Sequence, residues 1–384
     1  MRIGIVTHNV VRGDGQGRVN YEIARYLLSR GLDVELVCDR VASDLVEAGA
    51  IWRALHPVGQ VGDLVKVWDF ARRASRYLSD HTHHYDALIA CGFVLDVPHT
   101  INVAHFVHGV WLRSPYHSAR VRPGLNGAYQ WVYSTCNARW ERRAFEKAEC
   151  VVALSKMVRD ELVAIGVDEG KICTIINGVD LEEYKPGVDD QRSLRLFEGA
   201  RNGAPLGLFA GDIRSPIKNL DTLLRALAKA PDIHLAVAGR LEGSPFPALA
   251  EALGIANRVH FLGFRRDIAD LMRAVDFFAL PSRRDSCPLV LLEALASGLP
   301  VLTTPTVGTA SLVEGGAGIV IERPDDVEGL AEGLRSIGGD PARRVEMGLQ
   351  ARAVAEEYSW ERVGEQYLDL LREVSSRTHS KHAV

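Results

Sequence analysis

The chain has 384 residues, of which 47% are hydrophobic and 24% are charged, and its formal net charge is −4. This length accommodates two domains of ordinary size, and the composition is typical of a folded globular protein. A negative net charge argues against nucleic acid as a partner, and no apolar run approaches the roughly 20 residues that a membrane span requires. Six cysteines stand without Cys-x-x-Cys spacing, several of them in apolar runs, which is typical of a reduced cytoplasmic protein.

The first elements predict a parallel α/β sheet. Residues 2–7 form an apolar run that is typical of a buried strand rather than of a signal peptide. A glycine-rich segment at 13–20 follows, and then an amphipathic helix that ends near Ser29 and a second strand at 34–37. This β–loop–α–β order is the beginning of a doubly wound sheet.

The glycine-rich segment has three interpretations. A dinucleotide-binding loop needs Gly-x-Gly-x-x-Gly, and neither Gly13 nor Gly15 is followed by a glycine at the third place. A loop whose backbone approaches a sugar diphosphate fits well, because Gly15 and Gly17 have no side chains and the following helix offers free N–H groups. An ordinary structural turn is the third interpretation.

Further strands are predicted at 87–90, 101–107 and 151–154. His108 follows the middle strand, at the carboxyl end where parallel sheets place their ligands. We interpret it as a candidate ligand contact, with a purely structural histidine as the alternative. The His-Thr-His-His run at 81–84 lacks an acid or cysteine at ligand spacing, so we predict an exposed loop there rather than a metal site.

The segment 111–147 is rich in aromatic and basic residues. Its aromatic residues are Trp111, Tyr116, Tyr129, Trp131, Tyr133, Trp140 and Phe145, and its basic residues are Arg113, Arg120, Arg122, Arg139, Arg142, Arg143 and Lys147. Only Glu141 and Glu146 oppose this charge. Rings interleaved with arginines suit a membrane interface, so we predict peripheral docking of this segment; an ordinary solvated face is the alternative.

Asn-Gly and then Pro-Gly, followed by polar residues, predict a domain boundary near 187. The expected parts are a first domain at 1–187, a second at 188–358, a terminal helix at 359–376 and a loose tail at 377–384. The second domain repeats the α/β pattern. Its strands are predicted at 206–210, 234–238, 260–262, 277–280, 300–303 and 318–321, and its helices at 220–229, 247–253, 268–274 and 289–296.

The segment 280–304 predicts a strand, a loop, a short apolar helix, a stop at Gly298 and a new strand. The helix is apolar on nearly every face and is expected to be buried. Glu293 interrupts it, and a buried carboxylate is costly unless it is paired. Glu293 therefore forms an internal salt bridge or binds hydroxyls of a ligand, to which Asp285 in the preceding loop adds a second carboxylate.

Two cations follow the first strand of the second domain. Arg214 and Lys218 come after Gly211, at the carboxyl end of the strand at 206–210, where they are well placed for a diphosphate. A lysine is unfavourable beside a helix N-terminus. A ligand role for Lys218 is therefore preferred over that of a solvated surface residue.

Asp285 and Glu293, separated by seven residues and followed by Ala-Leu-Ala-Ser-Gly-Leu-Pro-Val, resemble the signature of the retaining glycosyltransferases of family 4. The resemblance covers essentially the whole chain. It implies the α/β GT-B fold, with two Rossmann-like domains facing a central cleft, the first on the acceptor side and the second binding the donor. The chain departs from the family where Asp285 and Ser286-Cys287-Pro288 replace Glu and Gly-Phe-Gly, and where Asp212 replaces an arginine.

The resemblance implies transfer of a hexose from a UDP- or GDP-sugar to a hydroxyl acceptor, with retention of configuration and with no metal or other cofactor. Glu293 would then hold the ribose, Lys218 and Arg214 the diphosphate, and Asp285 the sugar. The expected catalytic residues are His108, Asp285 and Lys218. The expected donor-binding residues are Gly15, Gly17, Arg18, Gly211, Arg214, Lys218, Asp285, Leu289, Val290 and Glu293, and the expected acceptor-side residues are Asn20, His108, Trp111 and Arg113.

Such an enzyme would serve glycan, glycolipid or metabolite glycosylation in the cytoplasm, at the inner face of the membrane if its acceptor is lipid-linked. Two other functions stay open: a nucleotide-sugar epimerase of the same fold, and a nucleotide-binding module without transfer activity. A dehydrogenase ranks last. Reaction of the donor without an acceptor would indicate the epimerase, and binding without turnover would indicate the module.

Overall fold

A computed structural model describes residues 1–56, 62–81, 84–121, 123–187 and 204–382. The chain divides into two units, Met1–Asn177 with Trp360–Val384, and Gly178–Ser359. The first segment of the first unit ends at Asn177, whereas a domain boundary was predicted near 187. The predicted linker up to 203, His83, Arg122 and the last two positions of the predicted tail lie outside the described residues.

The described part of the first unit contains a seven-stranded parallel sheet and a two-stranded ribbon. The strands are β1 (Arg2–Val6), β2 (Asn9–Val10), β3 (Asp33–Cys38), β4 (Arg40–Val41), β5 (Ile51–Ala54), β6 (Ala87–Cys91), β7 (His99–Ala104), β8 (Ala148–Ala153) and β9 (Ile172–Thr174). The sheet has the order β5-β3-β1-β6-β7-β8-β9, and β2 pairs with β4. β6 and β7 are buried along their whole length, as in parallel sheets covered on both faces.

The helices of this unit, up to residue 177, are α1 (Gly15–Ser29), α2 (Ser43–Glu47), α3 (Asp63–Ser79), α4 (His108–Trp111), α5 (Ser118–Val121), α6 (Leu125–Lys147) and α7 (Lys156–Ala164). Ser155 precedes α7, and its hydroxyl accepts the Val158 N–H at 3.2 Å. This N-cap satisfies one of the amides that a helix start leaves unbonded.

The described part of the second unit contains a six-stranded parallel sheet of order β12-β11-β10-β13-β14-β15. The strands are β10 (Leu206–Ala210), β11 (His234–Ala238), β12 (Val259–Gly263), β13 (Phe277–Leu280), β14 (Val301–Thr303) and β15 (Gly318–Val320). The helices are α8 (Leu220–Ala228), α9 (Phe246–Ala252), α10 (Ile268–Arg273), α11 (Leu289–Ala296), α12 (Val327–Gly339) and α13 (Pro341–Glu356). The predicted strands at 206–210, 234–238 and 277–280 are confirmed.

The glycine stop after α11 is also confirmed. Gly298 has φ 71°, a backbone conformation that side chains disfavour. The Leu299 N–H turns back to the Ala294 carbonyl at 3.0 Å, which is the hydrogen-bond pattern of a left-handed helix end. The chain therefore leaves α11 abruptly and enters β14.

The last helix, α14 (Trp360–His382), belongs to the first unit and packs on α1. It extends beyond residue 376, where the sequence predicted that it would end. None of the described helices is both long and apolar enough to cross a bilayer. Gly364 faces α1 so closely that a Cβ there would overlap the ring of Tyr26.

Gly364→Ala is therefore expected to destabilise the first unit by about 1–3 kcal/mol, because the added methyl forces Tyr26 or α14 to move. Urea denaturation measures the change. Gly339→Ala is the matched control, since its Cβ would meet nothing within 4 Å among the described residues. Equal stability of the two variants would contradict this packing of α14 on α1.

Candidate active site

Lys218 stands at the end of a tight loop between β10 and α8. It closes a short 3-10 helix, Pro216–Lys218, and the next residue, Asn219, has φ 62°. The Asn219 side chain is fully buried. Its amide donates to the Pro281 carbonyl at 2.8 Å, and its oxygen accepts the Thr222 hydroxyl at 2.6 Å. These bonds stabilise a left-handed backbone that is uncommon outside glycine, and so fix the residue next to Lys218.

Arg283 ties the Lys218 loop to the loop that carries Asp285. Its guanidinium donates to both carboxylate oxygens of Asp221 at 2.8 Å. Its backbone N–H donates to the Ile217 carbonyl, also at 2.8 Å. A bidentate arginine–carboxylate pair restricts both partners strongly. The two loops are therefore held together. No role was predicted from the sequence for Arg283, Asp221 or Asn219.

The Lys218 ammonium lies against Asp285 Oδ2, so two predicted site residues are in direct contact. Their side chains are 25% and 16% exposed, respectively, which leaves the pair accessible to a ligand. The Asp285 backbone is fixed by the loop after β14: its N–H donates to the Thr306 carbonyl at 3.0 Å, and its carbonyl accepts the Gly308 N–H at 2.8 Å. The aliphatic stem of Lys218 covers Gly211, where a Cβ would meet Lys218 Cγ at 3.7 Å.

Arg214 turns its guanidinium toward Asp212. Its Nε and Nη2 donate to the two carboxylate oxygens at 2.9 and 3.2 Å, and both side chains are about half exposed. This hydrogen bonding lowers the pKa of Asp212, and the charges of Arg214 and Lys218 add to the effect. The residue that replaces the family arginine therefore neutralises Arg214 locally. A phosphate contact by Arg214 stays a prediction.

The helix α11 presents one open face. Its buried residues are Leu291, Leu292, Ala294, Leu295 and Ala296. Leu289, Val290 and Glu293 are only partly buried, and their spacing of three and four residues places them on the same face. The expectation that the helix is buried on nearly every side is therefore corrected. The three predicted donor-binding residues share the face that remains accessible.

The glycine-rich segment of the first unit is not a loop up to residue 20, as predicted, but enters α1 at Gly15. A Cβ at Gly17 would lie 3.0 Å from the Val11 carbonyl oxygen, so glycine lets the segment that follows β2 pass close to the helix. A Cβ at Gly15 would meet nothing within 4 Å among the described residues. Gly15 therefore keeps the helix start open, whereas Gly17 serves the packing of the fold.

Arg18 and Asn20 both have partners within the first unit. Arg18 pairs with the buried Glu22 at 2.7 Å. Asn20 is 1% exposed, its amide donates to the Thr7 hydroxyl at 2.9 Å, and its oxygen accepts the Cys91 thiol at 3.1 Å. A buried amide requires such partners. These bonds join α1 to the sheet, and the acceptor-side role of Asn20 stays a prediction.

His108 begins α4 and is paired with Glu141 of α6. The ring Nδ1 lies 2.6 Å from Glu141 Oε1, and the His108 backbone N–H donates to Oε2 at 3.0 Å. Phe106 and Tyr133 contact the ring edge-on, with centroids 4.8 and 5.8 Å away. From the sequence, Glu141 was interpreted only as an acid that opposes the basic residues of the segment 111–147. No local motif joins two residues that are 33 positions apart.

The two remaining residues predicted on the acceptor side, Trp111 and Arg113, differ in their exposure. Trp111 is 5% exposed and packs between the rings of Phe106 and His117, at 5.9 and 5.6 Å. It is a core residue of the α4–α6 region, and its role as an acceptor contact stays a prediction. Arg113 is exposed. Nearby, burial lowers the pKa of His105 to about 4, so that ring is neutral at physiological pH.

Two family models match the chain. The model described as "Glycosyltransferase Family 4" matches residues 13–183, and the model described as "Glycosyl transferases group 1" matches residues 204–340. The chain belongs to family 4 of the glycosyltransferases. The first match lies largely in the first unit of this glycosyltransferase and the second match lies within the second unit.

A curated relative of this glycosyltransferase is the D-inositol 3-phosphate glycosyltransferase of Xylanimonas cellulosilytica. It is 28% identical over 95% of this chain and 93% of its own length. Other relatives of the same name are 32% and 34% identical, and the chain spans about half of their length.

Among solved structures, the lipopolysaccharide glycosyltransferase WaaG is similar with a TM-score of 0.77, 22% identity, and coverage of 96% of this chain and 99% of that chain. Anabaena Alr3699/HepE in complex with UDP-glucose is similar with a TM-score of 0.74, 22% identity, and coverage of 97% and 100%. This likeness concerns the fold. The GT-B fold of this glycosyltransferase, predicted from its sequence, is confirmed.

Proposed function

We propose that this glycosyltransferase moves a hexose from a UDP- or GDP-sugar to a hydroxyl acceptor with retention of configuration. The observation that carries the proposal is the contact between Lys218 and Asp285. It places a cation suited to a diphosphate beside a carboxylate suited to sugar hydroxyls, on two loops at the carboxyl ends of β10 and β13. Glu293, on the accessible face of α11, is assigned to the ribose.

Binding of the donor breaks the ion pair between Lys218 and Asp285 and gives each residue a new partner. The diphosphate takes the Lys218 ammonium, and Asp285 is released to accept hydrogen bonds from the sugar hydroxyls. As the bond between the sugar C1 and the phosphate oxygen breaks, negative charge builds on the leaving diphosphate, and a cation held in place stabilises it without reorganisation. The acceptor oxygen forms the new bond on the same face of C1, and its proton passes to an oxygen of the departing phosphate.

In this mechanism Lys218 and backbone N–H groups neutralise the charge of the leaving group, so no metal or other cofactor is assigned. UDP-hexoses come first among the donors to be tested, because a structural neighbour binds UDP-glucose. D-inositol 3-phosphate comes first among the soluble acceptors, because the relatives carry its name. A lipid-linked acceptor is the second class.

Thermal protection by a panel of UDP-, GDP-, ADP- and dTDP-sugars tests the donor assignment. A ligand present at 100 times its Kd stabilises the folded state by about 2.7 kcal/mol, so the correct donor raises the melting temperature while the others leave it unchanged. If no member of the panel protects a folded, monodisperse sample, the donor assignment is wrong. Protection without turnover over an acceptor panel would instead indicate a nucleotide-binding module.

The membrane-docking prediction has structural support on one face of α6. Leu125, Tyr129 and Val132 repeat at helical spacing and are exposed, Leu125 by 94%. Arg139 and Arg143 continue the same face, also exposed. Of the predicted aromatic residues, Trp111 and Phe145 are buried and do not contribute. An exposed apolar stripe continued by arginines fits an anionic lipid surface.

The N-terminus of α3 adjoins this face. The Tyr129 hydroxyl accepts the Leu64 N–H at 3.3 Å, and Val65 and Trp68 are exposed on α3. We therefore assign both helix starts to a lipid-facing surface, consisting of Val65, Trp68, Leu125, Tyr129 and Val132. A surface of this kind would bring a lipid-linked acceptor to the first unit.

Leu125→Asp is expected to weaken binding to anionic vesicles by at least about tenfold, since burying a leucine is worth roughly 1.5–3 kcal/mol. Flotation with phosphatidylglycerol and phosphatidylcholine vesicles over a salt series measures it. Leu349→Asp, at an exposed leucine of the second unit, is the matched control and should bind like the wild type. Absence of wild-type binding to both lipids at low salt would contradict docking and favour a soluble acceptor.

A further inference from the structure

Both carboxylate oxygens of Glu141 contact the same residue, His108. Oε1 takes the ring Nδ1 of His108 at 2.6 Å, and Oε2 takes the backbone N–H of the same residue at 3.0 Å. The residue Glu141 is 5% exposed, and a buried carboxylate is tolerated only where its oxygens are hydrogen-bonded. The arrangement therefore fixes the position of His108 and the orientation of its ring together.

The backbone bond has a structural explanation, because it satisfies the first N–H of the four-residue helix α4. The ring bond is not needed for that purpose. An ionised carboxylate only accepts hydrogen bonds, so Nδ1 must carry the proton. In a neutral imidazole the other nitrogen, Nε2, then has a free electron pair. The edge-on rings of Phe106 and Tyr133 restrict the imidazole to this orientation.

We propose that Glu141 is a positioning residue of the transfer reaction: it holds His108 in the Nδ1–H tautomer, so that Nε2 accepts a hydrogen bond from a substrate hydroxyl. The inference rests on the proposed function for the hydroxyl contact, whereas the tautomer is a property of the protein without substrate. No covalent step involves Glu141. Its partner on the reacting side is a neutral hydroxyl, not a phosphate.

Glu141→Gln tests the proposal, with Glu146→Gln as the matched control. Glu146 lies on the same helix, is exposed and pairs only at the surface with Arg142. A glutamine can donate to Nδ1 through its amide and so allow the Nε2–H tautomer. We expect Glu141→Gln to lower kcat by about tenfold to a hundredfold, the size of effect found when the group that orients a metal-bound histidine is removed, with the KM for the donor nearly unchanged. Glu146→Gln should match the wild type.

Nitrogen-15 spectra of the imidazole groups, assigned with His108→Gln, read the tautomer directly. The wild type should show His108 as Nδ1–H, and Glu141→Gln should show a mixture or the Nε2–H form. In a double-mutant cycle, Glu141→Gln should have no further effect on kcat once His108 is glutamine, since the two residues act through one contact. An additive loss would indicate that Glu141 acts only on stability and would overturn the proposal.

The outcomes also separate this inference from the proposed function. If the wild type transfers sugar and Glu141→Gln does so equally fast, the positioning role is refuted and the function stands. If the wild type transfers no sugar from any donor, the spectra still decide the tautomer: an Nε2–H wild type, or spectra unchanged in Glu141→Gln, refutes the inference about Glu141.

Discussion

Lys218→Ala is expected to lower kcat for sugar transfer by about 10²–10³-fold, the usual cost of removing one group that stabilises charge in a transition state. The Lys218 ammonium is held beside Asp285 by a loop that Asn219 and Arg283 fix from two sides. No other described lysine stands on the two loops that carry Lys218 and Asp285. The measurement is steady-state transfer at saturating donor, with folding checked by circular dichroism.

Two controls accompany this variant. Lys229→Ala removes a lysine that pairs with Glu328 at the surface of the same unit, and it should leave kcat unchanged because exposed pairs contribute little. Arg214→Ala should cost less than Lys218→Ala, since Asp212 already neutralises that guanidinium. An effect as large as that of Lys218→Ala would establish Arg214 as a second phosphate ligand. Near-normal transfer by Lys218→Ala would remove the diphosphate assignment.

The second large effect distinguishes the two acids. Asp285→Asn should reduce sugar transfer by about tenfold to a hundredfold, as expected for the loss of charged hydrogen bonds. Its affinity for free UDP or GDP should equal or exceed that of the wild type. In the variant, Lys218 binds the phosphates without first breaking its ion pair with the Asp285 carboxylate. This second expectation follows from the ion pair in the structure.

Glu293→Gln should weaken free nucleotide and nucleotide-sugar alike, since ribose is common to both. Isothermal titration with the nucleotide and with the intact donor measures both affinities for each variant. Asp285 and Glu293 are the acids of the family signature, so the two variants form a matched pair. If Asp285→Asn loses nucleotide affinity while Glu293→Gln keeps it, the assigned roles of the two acids are exchanged.

The sheets could be predicted because buried parallel strands are continuous apolar runs bounded by turn residues. The strands at 206–210 and 277–280 have the predicted bounds for this reason. The helices α12 and α13 were not predicted, although Asp326 and Asp340 supply an N-cap signal at each start. The start of α1 was placed too late, because glycines have low helix propensity and only tertiary packing favours helix at Gly17.

Candidate site residues could be proposed from the sequence where they stand in one local motif, but not where only tertiary contacts bring residues together. Asp285, Glu293 and Lys218 stand in short motifs with fixed spacing. The pairs of Glu141 with His108 and of Arg283 with Asp221 join residues 33 and 62 positions apart, so no periodicity reveals them. Composition also does not distinguish the buried Trp111 from the exposed Trp131. The two residues lie in one aromatic segment, but on different helices, α4 and α6.

A proton NMR time course of the purified protein with donor and acceptor panels tests whether the protein transfers a hexose with retention of configuration. We expect the anomeric signal of a UDP- or GDP-hexose to decline only when an acceptor is present, and nucleoside diphosphate and a new glycoside with the same anomeric configuration to appear together. Under the same conditions, the Lys218→Ala variant should convert almost none of the donor. Consumption of the donor without an acceptor, a product of inverted configuration, or no conversion of any donor by the folded wild type would contradict retaining sugar transfer.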